Sequence, residues 1–148
     1  MAQAAPVTGG MTRAGRTPDV FSERTHAVAK YAVPIVLGLI YGYWAAANTR
    51  YGGPITGWNL LFGFVTAIVF AAVWMALAAL TPRLSRELHA ALWAAFTGIS
   101  IGFLYSLSGR GHSILGSAGM GVAFAVVVFG VLFYRYYTHE DAEGHRIR

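Results

Sequence analysis

Residue types able to do chemistry are few and scattered in this chain. Five histidines occur, at positions 26, 89, 112, 139 and 145. The last two lie among Glu140, Asp141 and Glu143, but the run THEDAEGH lacks the spacing of a zinc site. Haem between helices needs two histidines facing each other inside an apolar span, and no pair is placed that way. There is no cysteine, which removes disulfides, thiolate metal sites and cysteine nucleophiles. Ser106 and Ser108 have no nearby base, and no Gly-x-Ser-x-Gly motif occurs. The glycine-rich GSAGMG at 116–121 starts an apolar run and lacks the lysine of a phosphate loop, so it reads as helix packing. No catalytic residue, metal site or cofactor is therefore expected.

Two arginines remain. Residues 38–50 read GLIYGYWAAANTR, and sixty positions later 98–110 read GISIGFLYSLSGR. Arg50 and Arg110 each close an apolar run. A cation there complements the free carbonyls of a helix end, and its stem can lie in lipid while its head stays wet. Anchoring is the simpler expectation. The second is an anion site: two guanidiniums beside Asn48, Tyr51, Ser108 and His112 would present donor forks to a lipid phosphate.

The elements that carry these residues follow from composition. Of 148 residues, 56% are hydrophobic and only 11% charged, with a mean hydropathy of +0.53. Soluble domains carry about 25% charged residues, and a small domain cannot hide this much apolar surface. The net charge of +5 is not gathered into one patch, so nucleic acid is not expected as a partner. The charges sit instead at the ends of four apolar runs, 27–47, 58–80, 88–107 and 114–134. About 20 residues of helix cross a bilayer core, and strands with open edges cannot. The sequence predicts an all-α polytopic membrane protein, its four transmembrane helices forming a domain over 23–137. The lipid bilayer is its first partner. Residues 1–22 read as a disordered tail without a signal-peptide core, and 138–148 as a polar tail.

Breaks between the runs carry turn chemistry. Tyr51-Gly52-Gly53-Pro54 stops the first helix and Thr81-Pro82 the second. Ser85 is placed to cap the third, which Ser108-Gly109-Arg110-Gly111 then stops. Short loops predict two sequential antiparallel hairpins. With both termini cytoplasmic, nine basic residues lie inside (Arg13, Arg16, Arg24, Lys30, Arg83, Arg86, Arg135, Arg146 and Arg148) against Arg50 and Arg110 outside. Basic loops stay cytoplasmic, so a cell-membrane protein with both ends inside is expected. No ionisable residue lies at mid-bilayer, which argues against coupled transport through a central acidic site.

Small residues recur every four positions: Pro34, Gly38, Gly42 and Ala46 in the first helix, Ala94, Gly98, Gly102 and Ser106 in the third. Residues four apart share a helix face, and a face without bulk lets membrane helices approach closely. Pro34 removes a backbone bond to Lys30 and predicts a kink or a looser inner end. The gapless offset of sixty maps Gly38, Gly42 and Arg50 onto Gly98, Gly102 and Arg110, and Phe64 onto Phe124. This makes a parallel duplication of one hairpin conceivable. It yields only four identities in fifty pairs, a level such a composition reaches by chance.

The aromatic first helix, Gly57-Trp58-Asn59 at the start of the second, and the aromatic-basic ending resemble small two-helix inner-membrane proteins that accompany sodium–solute symporters. The doubled hairpin departs from that pattern, and the likeness transfers no site. The function expected is that of a non-catalytic structural or accessory component that packs with itself or with a larger membrane complex. The alternative is a small oligomeric channel or exporter, with Tyr41, Tyr43, Thr97, Ser100 and Tyr105 as a polar lining.

Overall fold

The computed structural model describes residues 23–109 and 111–139. Each apolar run is a helix: α1 (Glu23–Arg50), α2 (Gly57–Leu80), α3 (Arg86–Leu107) and α4 (Ile114–His139). A single 3₁₀ turn, Thr81–Arg83, joins α2 to α3. No strand occurs among the described residues. All four helices are long and apolar enough to cross a membrane.

Two helices outrun their apolar segments. α1 starts at Glu23 and α4 ends at His139, because helical hydrogen bonding continues past the apolar run into residues that still favour helix. The Thr138 hydroxyl donates to the carbonyl of Tyr134 at 2.9 Å in that last turn. Thr138 and His139, placed above in a polar tail, thus belong to α4. The 1–22 tail and residues 140–148 lie outside the described residues.

Each stop has a physical cause. Tyr51 (φ 48°) and Gly52 (φ 82°) both enter the left-handed region, and the Gly53 amide donates to the Arg50 carbonyl at 2.8 Å. Glycine bears such a φ without strain, while tyrosine does so at some cost. At the start of α2, Thr56 is the cap: its hydroxyl oxygen accepts from the Asn59 amide at 3.3 Å. α4 starts in the same way, Ser113 Oγ accepting from the Gly116 amide at 3.0 Å. Ser85 departs from expectation. It occupies the cap position of α3 with extended backbone, but its side chain makes no cap bond. Its carbonyl accepts from His89, and Glu87 supplies negative charge to the first turn.

Close backbone contact holds α1 to α2 and α3 to α4, with a sparser approach between α1 and α3. The result is two tight hairpins laid side by side. Small residues explain the tightness. A Cβ at Gly38 would fall 2.7 Å from the Ala67 carbonyl oxygen, and one at Gly42 would collide with the Gly63 carbonyl. In the second hairpin a Cβ at Gly98 would sit 2.5 Å from the Gly121 oxygen, and one at Gly102 would sit 2.9 Å from that of Ser117. The contacts are reciprocal, since a Cβ at Gly121 would meet the Gly98 oxygen at 2.7 Å. Such geometry brings Cα–H groups onto carbonyl oxygens.

The buried line on α1 runs Pro34, Gly38, Gly42, Ala45, with Ala46 only half-buried. A strict four-residue stripe drifts around a 3.6-residue helix, so one step of three restores it to the interface. On α3 the line is Ala90, Ala94 and Gly98, while Ser106 faces outward. α1 is continuous through Pro34, whose ring is the largest fully buried side chain.

Candidate functional site

Between the hairpins the contact changes character. Tyr41 and Phe70 stack within the first hairpin, centroids 4.5 Å apart, and Phe70 reaches across to Phe96 of the second at 5.0 Å. Trp74 meets Trp93 edge-on at 4.8 Å, and Phe62 lies 6.4 Å from Phe103. Offset and edge-on pairs of this kind hold ring faces together at larger helix separation. An apolar groove of about 540 Å³ runs along this seam, lined in part by Tyr41, Val69, Phe70, Leu92 and Phe96.

Polar groups on the seam bond across it. The Tyr41 hydroxyl donates to the Ser100 carbonyl at 2.8 Å, and the Asn48 amide donates to the Leu104 carbonyl at 3.4 Å. Of the five residues proposed as a polar lining, these two, Tyr41 and Ser100, meet. Tyr43 is 69% exposed on the outer face of α1. Thr97 donates to the Trp93 carbonyl of its own helix at 2.9 Å. Tyr105 lies against the His112 ring at 4.1 Å. The five therefore do not line one path through a single copy.

At the end of the molecule carrying Arg50, a polar chain ties α1 to α2. The Asn59 side chain donates to the Thr49 hydroxyl at 3.2 Å, which donates to the Ala46 carbonyl at 2.9 Å. The Thr56 hydroxyl donates to Asn59 Oδ1 at 3.0 Å. Arg50 borders a hollow of about 70 Å³ with Tyr43, Ile55 and Asn59. Its proposed companion Arg110 lies outside the described residues. The other residues named for the anion site have partners nearby: Asn48 binds Leu104, Ser108 donates to the Tyr105 carbonyl at 2.8 Å, and His112 contacts Tyr105.

At the opposite end Arg86 lies over the Tyr137 ring, 4.6 Å from its centroid. This cation–π contact links the start of α3 to the end of α4. Among the described residues no three His, Asp or Glu side chains gather as metal ligands would.

Between α3 and α4 a second open groove of about 650 Å³ is lined by the small residues Gly98, Gly102, Ser117 and Gly121 and by Ile99 and Phe103. The Ser117 hydroxyl is buried there without a hydrogen-bond partner.

Sequence reasoning missed Thr56, Thr49, Ser113 and the aromatic seam. Thr56 and Ser113 carried a readable signal, a hydroxyl residue just before an apolar run. The seam did not, because rings spread through a wholly apolar helix read the same whichever face they lie on.

Against known families, curated proteins and solved structures, the chain has no significant match.

Proposed function

We propose that this chain is a non-catalytic component of the cell membrane, with both termini cytoplasmic, that works by packing with itself or with a larger membrane complex. One observation carries the reading. Apart from Ser117, the buried and half-buried polar side chains within the described spans are spent on helix structure: Tyr41 and Asn48 bond across the seam, and Thr66 and Thr97 bond to their own helices. Groups used in this way fix helix positions and are not available to a substrate. Large apolar side chains meanwhile cover the outer faces, including Val36, Ile40, Ile68 and Val126.

Native mass spectrometry in mild detergent tests this reading. The expected result is a mass above the 15.9 kDa of one chain, without a bound cofactor. A monomer with a stoichiometric chromophore or metal would overturn it in favour of an enzyme. Ion conductance by the purified protein in planar bilayers would instead favour the channel.

A further inference from the structure

The two hairpins share a contact register that the gapless offset does not give. Gly38 meets the Ala67 backbone and the Ala71 methyl, while Gly98 meets the Gly121 backbone and the Ala125 methyl. α3 thus matches α1 at the sixty-residue offset. That offset would carry Ala67 to Val127, yet the contact falls six positions earlier. In this register Phe70 corresponds to Phe124, and Trp74 to Val128.

The equivalence exposes an imbalance. α3 is covered on two faces. One packs on α4. The other, with Trp93, Phe96, Ser100 and Leu104, is half-buried against the first hairpin. The same positions on α1 are Val33, Val36, Ile40 and Trp44, and they are 45, 53, 51 and 57% exposed. On the other side, Phe70 sits at the centre of the seam, whereas its counterpart Phe124 is 44% exposed. One hairpin therefore ends on an uncovered receiving helix, and the other on an uncovered counterpart of the face that helix receives.

We propose that a second copy of this chain fills both positions, laying its α1 against the α4 face of the first and repeating between copies the contact that α2 and α3 make within one. This rests on the packing function proposed above and names its partner. The argument is continuity: the seam inside the chain already joins these two surfaces, and each copy carries one unused surface of each kind. Pairing is head to tail, and a closed ring leaves neither surface uncovered. The register is specified. Phe70 touches Phe96 within the chain, so Phe124 of one copy faces Val36 of the next. Trp74 touches Trp93, so Val128 faces Val33.

The absence of native cysteine makes this directly testable. Val36→Cys and Phe124→Cys are introduced into separate chains, co-expressed and treated in the membrane with a bifunctional maleimide. Helices that meet ring to ring lie about 8–10 Å apart, beyond the reach of a disulfide, so a linker of that span joins the two thiols where these faces meet. The expected product is a cross-linked dimer at twice the monomer mass. Ile68→Cys, on the exposed face of α2, replaces Phe124→Cys as the control and gives no such product. An unchanged thermal transition for each single variant shows that the fold is intact. If Val36→Cys links no better to Phe124→Cys than to Ile68→Cys, the interface is wrong. A dimeric native mass without that link retains the packing function but overturns this surface. A monomeric native mass without it overturns self-association and leaves lipid as the cover.

Discussion

A methyl group at position 98 would have to sit 2.5 Å from the carbonyl oxygen of Gly121, and backbone cannot move aside as a side-chain tip can. Glycine is required there by close approach rather than by its torsions. Gly119, on the exposed side of α4, has nothing within 4 Å of the same construction. The two glycines should therefore respond in opposite ways. Gly98→Leu is expected to lower stability in detergent by ~1–3 kcal/mol, the cost of forcing bulk into a packed contact. Gly119→Leu should be neutral or slightly stabilising, since leucine favours helix over glycine by up to ~1 kcal/mol. Thermal unfolding of the two variants decides the matter, and equal losses would show that the Gly98 contact is not tight. The glycine spacing was legible in the sequence. Which glycines face a neighbour was not, because a periodic stripe defines a face without saying what lies opposite.

Helix ends give a second contrast. Thr56 and Ser85 look alike in sequence, each a hydroxyl residue just ahead of a helix. Thr56 accepts from the Asn59 amide and binds the Asn59 side chain, while the Ser85 hydroxyl makes no cap bond. Removing a working cap costs ~1 kcal/mol. Thr56→Ala should therefore destabilise by about that amount, and Thr56→Ser should retain most of it. Ser85→Ala should change little. Chemical unfolding of the three variants in one detergent checks this, and a loss at Ser85 matching that at Thr56 would refute the distinction. Element existence followed from hydropathy alone, while α1 and α4 run past their apolar segments. The caps depended on rotamers that sequence does not specify.

At the scale of the whole molecule, the arrangement is two close hairpins joined by an aromatic seam. Small residues let backbones touch within each hairpin, and rings hold the hairpins apart but joined. The orientation proposed above rests on charge in the sequence: nine basic residues are assigned to the cytoplasmic side, and Arg50 and Arg110 to the other. We expect a reporter that fluoresces only in the cytoplasm to be bright when fused after Arg148 and dark when inserted at Gly52. The reverse pattern would invert the molecule and place Arg50 inside.

The sequence by itself determined that the chain is built of four apolar helices and where the breaks between them fall. Those features are local. A run of twenty apolar residues, a Gly-Gly-Pro break or a basic loop acts within a few residues of itself, so composition and spacing carry the information. Only the tertiary structure decided which faces meet. Phe70 and Phe124 are the same residue in corresponding places on two helices, yet one is enclosed by Tyr41, Trp74 and Phe96 and the other lies open. The correspondence itself was hidden, because the second helix of each hairpin is shifted by six positions against the first. In a soluble protein a polar outer face would have marked the difference. In this chain the exposed faces are as apolar as the buried ones, so pairing depends on shape, which appears only when the helices are placed together.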